Sequence, residues 1–494
     1  MSTDLSSKHP NYMSAVEDWT LMRDAYKGQR QVKSKRQTYL PPTSGQVADG
    51  MTSPEQPGSK AYAAYLMRAR FPNFVREAVQ TAVGMLHSQP AKITLPKEME
   101  NIRSSRGEDL HQLLVRINTE QLVTGRLGVL ADLPTSGGDM PYLATYATER
   151  LINWDDGTKE GLVPQVLNFV VLDESEYERA NTSFTWEVEE KYRVLILGSI
   201  DVNVSKAPYS FGVFNSKDVD FKPESLKQPS LKGEMLQKIP FVIINSCDLT
   251  TEPDEPPLLD LGELCMTVYR GEADYRQNLF MQGQDTLVVI GGGQEEDETL
   301  RTGAGARIDI SNPQGDAKFI GVTSDGLSEQ REALKEDRSR AGSMGAQSLD
   351  STSRERESGK SLGIRIAART ADLNQIADAG AKGLESILKI CAEWMRLDPN
   401  EVSVEPNREF GDHELTGQTM VEQQTARNLG FPISARTLHQ QAVDRGLTSM
   451  TFEEEMAAAK AEESTIFKRA ESGDRNGDQK DKTGKPSDVD ETNA

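Results

Sequence analysis

Pro257-Leu-Leu-Asp-Leu261-Gly-Glu-Leu264-Cys265-Met-Thr-Val268 opens residues 257–395, the stretch on which the reading of the whole chain turns. Leu261, Leu264, Cys265, Val268, Tyr275 and Leu279 recur every three or four residues, which predicts a helix with these side chains on one packing face. Pro256 and Pro257 stand before it, and Gly283 follows the apolar pair Leu279 and Phe280, the usual punctuation of helix ends. Asp285-Thr-Leu-Val-Val-Ile290 then turns to β-branched residues and stops at Gly291-Gly-Gly293. A charged helix over 326–345, a polar loop over 346–359 and a long amphipathic helix over 360–395 complete the stretch. Two helices around a small β insertion leave apolar flanks that one copy cannot cover. The pattern therefore predicts an elongated α+β subunit that assembles as a ring.

The chain has 494 residues, too many for a single core, and a length prior suggests roughly two to four domains. Its 36% hydrophobic content lies below the roughly 45–50% of ordinary domains, which predicts polar tails or solvent-lined surfaces. Acidic residues outnumber basic ones 77 to 56, for a net charge of −21. That balance disfavours tight binding of nucleic acid by phosphate neutralisation, although not the passage of DNA along a wall. Cys247, Cys265 and Cys391 are too few and too scattered for a disulfide framework or a zinc site, and read as buried free thiols in a reducing compartment. No basic segment followed by an apolar core marks a secretory signal, and no run approaches the roughly 18 apolar residues of a membrane span. These features predict a soluble protein made in the cytosol.

Along the chain, residues 13–26 read as a helix ending at Gly28, followed by a basic segment with Arg30, Lys33, Lys35 and Arg36 that reads as a solvated flank. Residues 41–58, with four prolines and three glycines, read as a loop or extended arm. Two helices broken around Phe71-Pro72 cover 59–86, another helix covers 109–124, and 128–132 is a buried strand before a turn at 134–138. Strands at 166–172, 184–197, 211–214 and 240–244 predict an antiparallel β section. After residue 395 a strand at 402–404 precedes helices at 417–429, 434–446 and 451–467, with Ser434 as an N-cap. Residues beyond 471 are nearly devoid of apolar side chains and predict disorder.

No catalytic or cofactor motif in the sequence is complete. Ser358-Gly359-Lys360-Ser361 copies the end of a phosphate-binding loop, but Arg354 stands where the loop's first glycine belongs and no strand leads in. The glycines at 291–293 and 303–305 lack the following helix of a dinucleotide turn. His9, His87, His111, His413 and His439 show no helix-borne metal spacing. Asp474-Arg-Asn-Gly-Asp478 lacks the glycine and glutamate of a calcium loop. No cofactor, metal or catalytic residue is expected. The rivals are a phosphoryl or nucleotidyl transferase, which these failed motifs disfavour, and an adaptor or scaffold. Adaptors are usually much shorter, and scaffolds lack such a β section.

Residues 326–370 carry nine basic and seven acidic side chains, +2 within a chain of −21. Ion pairs between subunits or at i,i+4, with Glu332 and Glu336 facing Lys335 and Arg331, are at least as good an explanation as DNA contact. In a ring, however, each cation recurs as a circle of weak contacts.

The order of these segments, with Asp24-Ala-Tyr-Lys-Gly28, Tyr39-Leu-Pro-Pro42, Thr124-Gly-Arg-Leu-Gly-Val-Leu-Ala-Asp132 and Ile152-Asn-Trp154, resembles the portal proteins of tailed bacteriophages over most of residues 10–460. The resemblance implies a wing at 1–256, stem helices at 257–281 and 324–345, and a small β-containing clip at 282–323. It further implies a channel loop at 346–359, a long wing helix and return strand at 360–410, a helical crown at 411–470 and a disordered tail at 471–494. It implies a homododecameric ring at the capsid vertex of the virion, built in the host cytoplasm, through which double-stranded DNA is packaged and ejected. The implied partners are the terminase large subunit, head-completion, adaptor and tail proteins, and the major capsid and scaffolding proteins, with no membrane. Arg354, Arg356, Lys360, Lys335 and Arg338 are the DNA-channel candidates.

Overall fold

The structure, a computed structural model, divides into two compact units, Met1–Phe410 and Gly411–Ala494. It describes residues 4–51, 53–134, 140–156, 167–179, 184–197, 208–215, 225–282, 286–290, 314–320, 325–345, 359–408, 424–432, 434–444, 448 and 450–461. Helices and antiparallel sheets occupy separate stretches of the first unit, an α+β architecture.

The chain begins with α1 (Pro10–Lys27), α2 (Gln29–Ser34), α3 (Ser44–Ala48), α4 (Pro57–Arg68) and α5 (Phe74–Leu86), the break at Phe71-Pro72 falling where expected. Trp19, Met22 and Ala25 carry α1 into the interior. Asp24 is buried with them, its carboxylate accepting from the Tyr39 hydroxyl and the Gln31 amide, each at 2.8 Å, with the Lys35 ammonium 3.6 Å away. One buried carboxylate thus ties α1, α2 and the following turn together. The basic segment is less free than a solvated flank, since Lys33 also donates to the Met67 carbonyl at 3.1 Å. The expected loop over 41–58 contains a helix, α3. Thr43 caps it and Gln46 reaches back to the Thr43 amide, a reciprocal pair that closes a turn despite the prolines on either side.

Next come β1 (Lys92–Thr94), α6 (Leu110–Thr124), β2 (Arg126–Asp132), β3 (Tyr142–Ala147), β4 (Leu151–Asp155) and β5 (Phe169–Asp173), then β6 (Glu176–Arg179), β7 (Trp186–Glu189), β8 (Lys191–Leu197), β9 (Tyr209–Asn215) and β10 (Phe241–Asn245). Gly125 ends α6 at φ 73°, a left-handed cap from which the chain turns directly into β2. Every residue of β2 is buried, between β10 and β3. A second sheet has the order β4-β5-β8-β9. Two expectations are corrected here. The strand foreseen over 184–197 is two strands, because β7 leaves to pair with β6 as a separate ribbon while β8 pairs with β5. The strand at 240–244 belongs with β2 and not with the other strands of the β section. β1, β3, β4 and β6 were not anticipated. Strand formation there depends on cross-strand neighbours more than on local composition.

The decisive stretch forms α7 (Leu259–Gln282), β11 (Thr286–Ile290), β12 (Asp316–Ile320), α8 (Asp325–Met344) and α9 (Gly359–Trp394), followed by β13 (Ser403–Glu405). β11 and β12 pair antiparallel from Thr286↔Ile320 to Ile290↔Asp316, and β13 pairs with β1. Two buried clusters result, one around the sheets and one among α1, α4, α5 and the first half of α7. α9 serves both, with Leu373, Ile376 and Ala377 in the helical cluster and Leu384, Ile387 and Leu388 in the sheet cluster. Gly383 permits the close approach, since a β-carbon there would stand 2.4 Å from two carbons of Ile244 on β10. Cys265 and Cys391 are buried as expected, whereas Cys247 is exposed. It lies in the turn after β10, a turn held by the Asn245 amide donating to Asp248, Thr250 and Glu252.

In the second unit, helical residues at 424–428, Ala435–Asp444 and 452–461 match the expected helices in part, and Ser434 caps the second one through the Thr437 amide at 3.0 Å. The turn at 135–138, the segment 291–313 of the expected clip, the loop at 346–358 and the tail at 471–494 lie outside the described residues.

Two outcomes follow from this packing. Gly383→Ala gains helix propensity but forces Ile244 aside, and should destabilise the chain by about 1–3 kcal/mol in urea denaturation. Glu385 is partly buried, which opposes ionisation, yet its ion pair with Lys389 at 2.5 Å and the Val404 amide at 3.1 Å hold its carboxyl below the usual range. A lowered native value means stability that is present above the unfolded value and lost as pH falls through the native one. Acid titration of wild type against Glu385→Gln should show the variant less stable at neutral pH and the gap closing below about pH 4.

Candidate functional site

α7 and α8 run antiparallel side by side. The Asn278 amide at the end of α7 donates to Gln330 at the start of α8 at 3.1 Å, and Glu272 receives Arg338 at 2.7 Å. Gly271 provides the seat, because Leu334 fills the space a side chain would occupy, 3.1 Å from an added β-carbon. Beside this contact the Glu272 carboxylate, 2% exposed, accepts from Arg276 on its own helix at 2.5 Å and from Arg338 across the pair. A buried carboxylate carries a large desolvation cost unless it is paired and hydrogen-bonded, and here each oxygen meets a guanidinium. This clamp matters because Leu334 and Ala341 are the buried apolar side chains by which α8 holds on.

The other side of α7 meets α4. Tyr65 donates to Asp274 at 2.5 Å, Arg68 donates to Gln277 at 2.5 Å and lies 4.0 Å over the Phe280 ring, and Phe71 packs against Tyr269. Burial is uneven along the helix. Leu261, Cys265, Val268 and Tyr269 are covered, while Leu279, Phe280 and Met281 are 48%, 41% and 52% exposed. The apolar stripe read from the sequence is therefore satisfied within the subunit over its first half only.

At the opposite end of the pair, a cleft of about 450 Å³ lies between the start of α7, the end of α8 and α9. Leu258, Leu261, Met344, Leu373 and Ile376 line it, with the largely exposed Cys247 on its rim, its thiol raised above the ordinary value first by partial desolvation. Gly345, the last described residue before 346–358, also lines it.

Of the five cations singled out from sequence, Lys335 and Arg338 lie one turn apart on α8 and both are exposed. Lys335 borders the groove formed with Tyr275 and Leu327. Arg338 is engaged by Glu272, a partner 66 residues distant in sequence. Lys360 falls in the first turn of α9, where only the backbone is described, and Arg354 and Arg356 lie outside the described residues. Within the subunit, among the described residues, no ion pair joins Arg331, Glu332, Lys335 and Glu336, and Arg338 pairs across to α7. Glu272 was missed. Its signal was a carboxylate at the edge of the apolar stripe, one position after Gly271 and between Val268 and Tyr275.

Among the described residues no group of three His, Cys, Asp or Glu side chains could hold a metal ion, and no helix is long and apolar enough to cross a membrane. What the region offers is a paired helical surface with separated charge, exposed apolar residues at one end and a polar segment leaving the other.

Glu272→Gln should weaken both ion pairs and destabilise the chain by about 1–3 kcal/mol. Arg338→Ala should cost less, about 1 kcal/mol, because Arg338 is half exposed and Arg276 still covers the carboxylate. Hydrogen exchange over 325–344 should accelerate in the first variant more than in the second. Equal, unchanged protection in both would remove the clamp from the account.

Comparison with known proteins gives the following. A family model described as a domain of unknown function, DUF4055, matches residues 257–395, the stretch from which the sequence was read. No curated protein matches the chain. Solved structures that match the chain include the neck of a native GTA particle computed with C12 symmetry, 12% identical over 76% of this chain and 91% of that one, with a TM-score of 0.35. Others are the virion of a native gene transfer agent particle, 13% identical over 82% and 99% with a TM-score of 0.36, and the neck of an empty GTA particle computed with C6 symmetry, 13% identical over 83% and 95% with a TM-score of 0.34.

Proposed function

We propose that this chain is the subunit of a portal-type ring in a tailed phage or phage-like particle, a channel for DNA and not a catalyst. The observation that carries the reading is the sequence of α7, the β11–β12 pair, α8 and α9, the order the portal resemblance implies for stem, clip, stem and wing. In this reading residues 1–256 are the wing, 257–281 and 324–345 the stem, 282–323 the clip, 360–410 the long wing helix with its return strand, and 411–470 the crown. The exposed Leu279, Phe280 and Met281 support a ring, because a neighbouring copy would cover what one subunit leaves open.

A chain of −21 gives DNA phosphates no strong resting place over most of its surface, while the locally positive 326–370 supplies reversible contact. Lys335, Arg354, Arg356 and Lys360 are the contacts proposed, on α8, in the channel loop 346–359 and at the start of α9. Arg338 contributes only what its bond to Glu272 leaves free. The clip would receive the terminase during packaging and head-completion and tail proteins afterwards.

Mass photometry at micromolar concentration, with magnesium and moderate salt, should show a ring, with twelve copies as the expected number. A stable monomer would overturn the assignment. Arg354→Ala with Arg356→Ala should leave the ring intact and reduce packaging or retention of DNA. Full-length packaging at the wild-type level would make these arginines dispensable, and loss of the ring would make them struts between subunits.

A further inference from the structure

Around α7 the charges are sorted to two sides. Residues that meet α8, namely Gly271, Glu272 and Asn278, and residues that meet α4 or the turn after it, namely Asp274, Gln277 and Phe280 with Tyr269 against Phe71, lie about half a turn apart at 100° per residue. On the α4 side a basic surface forms from segments far apart in sequence. Met67, 74% exposed, joins two shallow grooves, one bordered by Lys33 and Arg36 and the other by Arg68, Arg70 and Phe280. Lys33 is held below the ordinary lysine value by burial first and by the neighbouring Arg70 charge second, as expected where cations crowd. Asp274 at its edge accepts the Tyr65 hydroxyl, and Arg276 is turned to Glu272.

On the far side, α8 faces α7 through Gln330, Leu334, Arg338 and Ala341. Its opposite face carries Glu329, Glu332 and Glu336 at spacings of three and four, all exposed and without an ion-pair partner among the described residues. The stripe lies at the level of Phe280, because Asn278 and Gln330 are bonded across the pair. One molecule thus presents a basic, partly apolar surface on one side of α7 and an acidic stripe on the other, at the same height.

We infer that the surface formed by Arg36, Met67, Arg70 and Phe280 docks against the Glu329, Glu332 and Glu336 stripe of a second copy of this chain. Two different patches on opposite sides make a head-to-tail contact, which repeats from copy to copy and closes when its rotation divides a full turn. The occupant follows from charge complementarity. A chain of −21 repels its copies in general, so a local cationic surface facing a local acidic stripe sets which faces meet. Apolar Met67 and Phe280 then lose water as the charges pair. This inference rests on the ring reading and names the faces that build it.

The test uses two charge-reversed full-length proteins, Glu332→Lys with Glu336→Lys and Arg36→Glu with Arg70→Glu. All four positions are exposed, so thermal melts of the monomers should match wild type. Each variant alone should raise the concentration of half-assembly by about tenfold or more at low salt, an effect that shrinks in high salt. Mixed in equal amounts they should assemble again, because every contact then joins a basic face to an acidic one. If either variant assembles as wild type does, or if the mixture fails to recover, the interface is wrong while the ring reading stands. If wild type itself stays monomeric, the ring reading falls and the interface with it.

Discussion

The seating of Leu334 against Gly271, beside a carboxylate shared by two arginines, is the contact on which the arrangement of the central stretch depends. α8 spans twenty residues, yet Leu334 and Ala341 are its buried apolar side chains. So few apolar contacts do not hold a helix of that length by transfer free energy alone, each full burial contributing about 1.5–3 kcal/mol at most. The Glu272 clamp adds direction as well as energy, because two guanidinium groups approaching one carboxylate fix rotation and register together. A hydrophobic pair at the same place would tolerate sliding. The bonds from Glu272 and Asn278 to α8 cannot both persist if either helix shifts by a turn.

That register sets what the rest of the surface presents. With Gly271 and Glu272 turned to α8, the far side of α7 must face α4, and the last apolar turn around Phe280 is left beside Arg68 and Arg70. With Leu334 turned inward, Glu329, Glu332 and Glu336 must face outward. Burial and charge are therefore not separate designs here. The same rotation that covers one set of side chains exposes the other. The first half of α7 sits in the helical cluster, so the direction of its exposed end is set by packing at a distance.

α9 performs a comparable service for the first unit as a whole. Its 36 residues pass from the helical cluster into the sheet cluster, and Gly383 lets it approach β10 closely enough for Leu384, Ile387 and Leu388 to interdigitate with the sheet. Polar groups follow the same path. Asn118 of α6 donates to Gln121, which donates to the Asn245 carbonyl at 2.6 Å, so polar groups of α6 and β10 pair with one another where α9 passes.

Helix spacing was legible because it is local. The stripe from Leu261 to Leu279, the α4–α5 break at Pro72, the helix over 109–124, the Ser434 cap and the buried β2 all depend on residues within a few positions of one another. The segment order across 257–395, and with it the family resemblance, was likewise written in the chain. What sequence could not decide was anything that requires a partner elsewhere. Whether Arg338 faces solvent or Glu272, whether residues 240–244 join β2 or β9, whether β7 and β8 are one strand or two, and whether Cys247 is covered depend on contacts between residues tens to hundreds apart. Periodicity reports which side chains share a face, but it carries no information about which distant surface that face meets. The sequence by itself determined the helices, their amphipathic sides and the punctuation of the central stretch. Only the tertiary structure decided that the stripe is covered halfway and that the charges sort to opposite sides of α7, because both depend on the one rotation at which Leu334 fits against Gly271 and Glu272 meets Arg338.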